Sequence, residues 1–243
     1  MQQKHLAMKA HSLFLMYVAA LISLLFAPVS LVKGQSTMLI HADAGTSSVR
    51  TSGIGLYELA NPYLKPVFQY TFGVDYERAL SNHFSVLTGA QFASRGFAAR
   101  EHFNIDVLGI DLPVGASVET RLNYIEVPLA MKYYFTDHGV MPYVRAGGSV
   151  GYAVEGKITP AVDAIIPWRL PSIPLNLEND LYNRVDLALQ AGAGVSIPVN
   201  STNALQFEVN YRHGLSDMLH EPILNLDIRS SGFTAGIGFT INF

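Results

Sequence analysis

The stretch LNYIEVPLAMKYYF, residues 122–135, decides the fold. Ile125, Val127, Leu129, Met131, Tyr133 and Phe135 share one parity, and Tyr124, Glu126, Pro128, Ala130, Lys132 and Tyr134 share the other, which is the period of two of an extended strand. One face is wholly apolar and ends in aromatics, while the other carries Glu126 and Lys132 in mid-strand. Soluble core strands rarely combine these faces. The stretch reads as a membrane-spanning β-strand.

Working outward, the same alternation recurs at 38–46, 66–80, 84–97, 142–155, 181–197, 205–215 and 232–243, giving eight strands with the first. The cleanest is 181–197, where Val185, Leu187, Leu189, Ala191, Ala193, Val195 and Ile197 oppose Arg184, Asp186, Ala188, Gln190, Gly192, Gly194 and Ser196. Within 84–97, Leu87 falls on the polar face, which predicts a bulge there. Short turns at 81–83, 136–139 and 200–203 alternate with long connections at 49–65, 99–117, 158–180 and 216–227. Up-and-down outer-membrane barrels place short turns and both termini in the periplasm and long loops outside. The expected fold is therefore all-β: an eight-stranded antiparallel up-and-down transmembrane β-barrel in the outer membrane of a Gram-negative cell, with lipid as its surroundings.

Composition agrees with this reading. Of 243 residues 49% are hydrophobic and only 14% charged, against about 25% charged in an average soluble domain. The net charge of -3 and the lack of basic runs give no reason to expect a nucleic-acid partner. The absence of cysteine excludes disulfides, thiolate metal sites and a thiol nucleophile. At the start, Lys4, His5 and Lys9 precede an uncharged run over 13–26 that is followed by Pro28 and Gly34. That is the pattern of a signal peptide, expected over 1–34 and cleaved, leaving a barrel domain over 35–243. The uncharged run falls short of the ~20 residues of a spanning helix.

The second face decides which side meets lipid. A soluble, lipocalin-like barrel would show water a surface rich in lysine and glutamate, but here that face is mostly glycine, alanine, serine and threonine. Small residues suit the crowded lumen of an eight-stranded barrel, which is just wide enough for side chains. The charges expected to point inward are Asp75, Glu77, Arg95, Glu126, Lys132, Arg145, Glu155, Arg184, Asp186, Glu208 and Arg212. Their signs nearly balance, so a salt-bridged polar network that closes the bore is expected; a narrow solute pore lined by the same groups is the alternative.

Three segments carry a family resemblance: NYIEVPLAMKYYF at 123–135, PYVRAGGSVGY at 142–152 and FTAGIGFTINF at 233–243. With the Tyr-x-Glu-x-Pro-Leu core of 124–129 and the Pro-Tyr pair at 142 and 143, they resemble the outer-membrane β-barrel domain common in Bacteroidota, the PorT-like family. The resemblance spans essentially the mature chain and implies no particular activity. Phe243, preceded by Ile241 and Phe239 at alternate positions, resembles the terminal signal read by the outer-membrane insertion machinery.

Chemistry-bearing clusters are sparse. His41 and Asp43 share a strand face, but two ligands are too few for a metal site. His213, Ser216, Asp217, His220 and Glu221 gather where the seventh strand enters its loop, the place where a rim enzyme would build its site. Gly-x-Gly at 192–194 and 236–238 lies within strands, so neither is a nucleotide loop. No catalytic residue, metal or cofactor is expected. The connection 158–180, with Ile165, Ile166, Trp168 and prolines 167, 171 and 174, is the expected protein-partner surface, or else a lid over the mouth. A structural or binding role is the function expected, with a rim enzyme or a narrow pore as alternatives.

Overall fold

The computed structural model describes residues 35–52, 63–107, 110–163, 168–177, 183–217 and 227–243. The expected signal peptide over 1–34, together with Ile165, Ile166, His220 and Glu221, lies outside the described residues. The strands in chain order are β1 (Ser36–Ser52), β2 (Leu64–Lys65), β3 (Val67–Ala79), β4 (Phe84–Val107), β5 (Ile110–Tyr134), β6 (Met141–Asp163), β7 (Trp168–Arg169), β8 (Ile173–Pro174), β9 (Val185–Pro198), β10 (Asn203–Gly214) and β11 (Asp227–Asn242). Eight are long, and β2, β7 and β8 are two-residue ribbons.

Antiparallel ladders join the long strands in the cyclic order β1, β3, β4, β5, β6, β9, β10, β11 and back to β1. Closure leaves the eight long strands without a free edge, the condition for crossing lipid in the extended form. Among the described residues no helix is long and apolar enough to cross a membrane. The start of β1 meets Phe243 beside the short turns, where the Ser36 amide donates to the Phe243 carbonyl and the Phe243 amide donates back to the Ser36 carbonyl. In the turn between β5 and β6, Gly139 adopts φ 68°, a left-handed conformation that a side chain would strain.

Side chains sort by parity. Ile40, Val74, Ile125, Leu129, Leu189, Phe207, Val209 and Ile237 point outward and are exposed, forming an apolar belt that only lipid can cover. Aromatics bound it at both ends. Phe84 lies 4.9 Å from Tyr133 and Tyr133 lies 5.3 Å from Phe135 near the short turns, while Phe68 meets Tyr70 at 6.3 Å and Tyr211 meets Phe233 at 4.7 Å nearer the other end. The tyrosines suit this interfacial depth because each is an apolar ring with a polar tip.

Three expectations about the strands need correction. The region 99–117 is not a loop: β4 and β5 stay paired as far as Val107 opposite Ile110. The region 158–180 also continues as strand to Asp163, and β7 and β8 fold back to pair with β6, Trp168 opposite Val162 and Ile173 opposite Ile158. Beyond the membrane a ladder needs only backbone groups, so the alternation that marks a lipid-facing strand disappears although the strand does not. Leu87 causes no bulge. The β3–β4 register runs evenly through Glu77 opposite Leu87, and Leu87 packs inside the barrel with Leu39 and Ala130.

The observed irregularity lies elsewhere, on β6, where Asn123 pairs with Glu155 but Tyr124 pairs with Ala153. The extra residue, Val154, inverts the parity of β6 beyond it. Glu155 is thereby turned outward into an exposed contact with Lys157 at 3.0 Å and Asn123 at 2.7 Å. It does not belong to the lumen.

These positions predict a depth-dependent cost. Val209→Arg, in the apolar belt, is expected to destabilise the barrel by about 2 to 4 kcal/mol in reversible unfolding from lipid vesicles, whereas Glu155→Arg at the polar edge should cost no more than about 1 kcal/mol. Equal costs would place the belt incorrectly.

Candidate functional site

The lumen is built in layers, each set by strand register. Near the short turns, Lys132 is fully buried, and its ammonium donates to Glu77 Oε2 at 2.9 Å and Gln206 Oε1 at 3.0 Å. Glu77 also accepts from Ser85 Oγ at 2.5 Å and Tyr134 Oη at 2.7 Å. The ring of Tyr143 lies beneath the ammonium, 4.6 Å from its centroid. Burying an ammonium this deeply requires hydrogen-bond partners, and these come from strands around the ring.

Tyr143 links this layer to the next by donating to Glu208 Oε2 at 2.9 Å. Arg145 lies 3.2 Å from Glu208 Oε1, and its Nε donates to Asn210 Oδ1 at 2.9 Å. Gly194 makes room for Tyr143, since a methyl there would come within 2.6 Å of the phenol. Alongside, His41 holds Asp43 through Nδ1 at 2.7 Å and faces Asp75 through Nε2 at 3.5 Å. Because these carboxylates lie on opposite edges of the imidazole, the three cannot converge on one cation, and among the described residues no His, Cys, Asp and Glu group is arranged to hold a metal.

The central layer spans the bore. Arg95 of β4 donates to Glu126 of β5 and, at 2.8 Å, to Asp186 of β9 across the lumen. Arg212 of β10 donates to the same Asp186 oxygen at 2.7 Å and to Ser230 Oγ at 2.6 Å, and lies 3.7 Å from Glu126. Gln91 donates to the second Glu126 oxygen at 2.7 Å, and the Arg95 guanidinium stacks 4.2 Å from the centre of the Tyr124 ring. Two guanidinium groups and two carboxylates thus neutralise each other at a depth where an unpaired ion would cost several kcal/mol. Toward the long-loop end, Val49, Leu122, Tyr124, Ala153 and Leu177 pack into an apolar plug with Leu64, Phe97 and Leu175.

Small spaces remain between the layers. One cavity of about 40 Å³ borders Asp43, Gln69, Gln190, Asn210 and Thr234, and another of about 10 Å³ borders His41, Tyr143 and Gln206. Both are small enough to hold at most a few water molecules.

Of the charges expected inside, Asp75, Glu77, Arg95, Glu126, Lys132, Arg145, Asp186, Glu208 and Arg212 lie in these layers. Glu155 lies outside, as described above. Arg184 is also a correction: it sits just ahead of β9 at the mouth, where Nε donates to the Leu177 carbonyl at 2.8 Å and Nη1 to Tyr152 Oη at 3.1 Å. The polar partners Gln91, Tyr124, Tyr134, Tyr143 and Gln206 were not named with the expected network, although each shares the parity of the charges on its strand. Parity was the signal that finds them.

Of the rim cluster, His213, Ser216 and Asp217 are among the described residues. His213 contacts Arg50 and Tyr211, Asp217 contacts Arg229, and Ser216 Oγ accepts from the Leu187 amide at 2.6 Å. Among these described residues no hydrogen bond joins Ser216 to His213. Trp168, in the expected partner loop, is 74% exposed.

A model of the outer membrane protein beta-barrel domain matches residues 34–220. The chain belongs to that family. The membrane in which the family's barrels sit is the outer membrane, so lipid of that membrane surrounds the belt. Comparison with curated proteins gives no match. Among solved structures, Ail of Yersinia pestis, crystallised in complex with the heparin analogue sucrose octasulfate, is similar at 16% identity and a TM-score of 0.38, with 86% of this chain and 100% of that one covered. Neisserial surface protein A is similar at 12% identity and a TM-score of 0.42, covering 85% and 97%. OprG of Pseudomonas aeruginosa is similar at 13% identity and a TM-score of 0.44, covering 87% and 97%.

Removing one member of the central layer leaves its partners charged in a place they cannot leave. Glu126→Ala is expected to destabilise the barrel by about 3 to 5 kcal/mol, read as a lower urea midpoint for unfolding from vesicles. A loss below about 1 kcal/mol would mean that Arg95 and Arg212 do not depend on it.

Proposed function

We propose that the protein is a closed outer-membrane barrel with a structural or binding role, offering its long-loop end to the exterior. The supporting observation is the Arg95–Asp186 contact, which ties β4 to β9 across the bore within a charge-balanced layer. A solute pore requires a continuous polar path with mobile lining groups, whereas here the charged groups hold one another and an apolar plug lies above them. The proposal assigns no catalysis.

In this reading the short turns and both chain ends are periplasmic, following the rule that long loops lie outside. Exposed Phe243 at the end of the closing strand then faces the side from which the insertion machinery works. The Tyr-x-Glu-x-Pro-Leu motif supports placing the chain among the PorT-like barrels of Bacteroidota, and the pattern of 1–34 supports a cleaved leader. Trp168, Leu170 and Ile173, exposed on and beside β7 and β8, are the proposed protein contact.

Purified protein in a planar lipid bilayer is expected to give no sustained conductance steps. Steady unitary currents from the wild-type barrel would replace the closed-bore reading with a pore.

A further inference from the structure

Among the described residues the lumen carboxylates outnumber the fixed cations. Glu126 and Asp186 take Arg95 and Arg212, Glu77 takes Lys132, and Glu208 takes Arg145. Asp43 and Asp75 remain, and the basic group beside both of them is the imidazole of His41.

Register builds this trio. His41 and Asp43 stand two apart on β1, while Asp75 comes from β3, where it lies opposite Leu39 of the small apolar cluster. Two glycines clear the space: a β-carbon at Gly236 of β11 would collide with the Asp43 carboxylate, and one at Gly89 of β4 with that of Asp75. His41 Nδ1 lies 2.7 Å from Asp43 Oδ2, and Nε2 lies 3.5 Å from Asp75 Oδ2, at ion-pair reach. Asp75 is 1% exposed, and neither its Oδ1 nor His41 Nε2 has a hydrogen-bond partner. The other ionisable groups turned toward the trio are Tyr143 and Arg145 of β6, Glu208 of β10 and Lys132 of β5. Tyr143 and Arg145 are engaged with Glu208, and Lys132 with Glu77.

A proton count follows from this geometry. An ionised carboxylate oxygen and a bare ring nitrogen can only accept, so each of the two nitrogen–oxygen contacts needs a proton between its atoms. A neutral imidazole brings one proton to two contacts. Without another, a nitrogen lone pair would face a buried carboxylate that has no cation of its own, which burial strongly disfavours. We propose that the trio binds a second proton between His41 Nε2 and Asp75 Oδ2, clasping β1 to β3 from inside the lumen. Whichever atom holds it, the trio then carries one net negative charge instead of two. In the unfolded chain a histidine is neutral above about pH 6.5 and both carboxylates are ionised, so above that pH the folded barrel holds one proton more. The clasp is complete below about pH 6.5 and is lost as rising pH removes the proton.

The test unfolds the barrel reversibly with urea from phosphatidylcholine vesicles between about pH 5 and about pH 9, comparing wild type with Asp75→Asn so that titrations elsewhere cancel. The asparagine amide donates to Nε2 and so replaces the bound proton with a fixed hydrogen. Above about pH 7 the folding constant of wild type should fall about tenfold more per pH unit than that of Asp75→Asn. Below about pH 6 the order reverses, because the unfolded variant's histidine takes up a proton that its folded site has no room for. Nitrogen NMR of the His41 ring and infrared spectra of the Asp75 carboxyl read the folded wild type directly, and so keep the proposal open to refutation if Asp75→Asn does not fold. At pH 7 they should show a protonated Nε2 or a protonated Asp75. Parallel pH profiles for the two proteins, or a bare Nε2 together with an ionised Asp75, would overturn the proposal. A wild-type profile that follows the concentration of sodium or potassium instead of pH would overturn it too, by making a metal cation the occupant.

Discussion

The neutralisation of Arg95 and Arg212 by Glu126 and Asp186 is the constraint on which the rest of the barrel depends. An outward apolar face alone would be satisfied by any strand order or register that keeps greasy residues in lipid. The buried ions are more demanding, because each must meet its partner at hydrogen-bond distance or carry a desolvation cost comparable with the stability of a whole domain. A one-residue slip of β9 against β10 would send Asp186 to the lipid side and leave both guanidinium groups unpaired. The same holds for Lys132 and Glu77 nearer the short turns. The lumen chemistry therefore fixes the register that the outer face only permits.

Much of this was legible in the sequence, because a membrane strand has only two faces and each has its own solvent. The alternation through 122–135 placed Glu126 and Lys132 inside together with Tyr124 and Tyr134, and their partners follow by the same parity. The reading failed where one of its premises lapsed. Glu155 was assigned by parity, but Val154 is an extra residue in the β5–β6 ladder, and a single bulge reverses every later assignment on its strand. Leu87 seemed out of phase because an apolar residue was assumed to face lipid, yet the lumen also needs small apolar contacts, here with Leu39 and Ala130. The hairpin beyond residue 99 was invisible because outside the bilayer neither face is required to be apolar. Which charge meets which was also out of reach: the Arg95–Asp186 pair joins strands that are not neighbours, and parity says nothing about contacts across the bore.

Pro128 shows how the two levels meet. It lies inside β5 and is fully buried, where a proline removes a ladder donor. The β4–β5 pairing accordingly skips from Thr88 opposite Leu129 to Gln91 opposite Glu126, and the sum of paired numbers is unchanged across the gap. The ladder loses bonds there without losing register. Gln91 and Glu126, the first pair beyond the gap, also meet through their side chains at 2.7 Å, which holds the strands together where the backbone does not.

The most direct test of the central layer is a double-mutant cycle on Arg95 and Asp186, using Arg95→Met, Asp186→Asn and the pair, each unfolded reversibly from lipid vesicles. The cycle isolates the contact that crosses the bore from the burial of either residue alone. A coupling of at least about 2 kcal/mol is expected for a desolvated ion pair. Additive effects, within about 0.5 kcal/mol, would contradict the claim that this contact ties the barrel together.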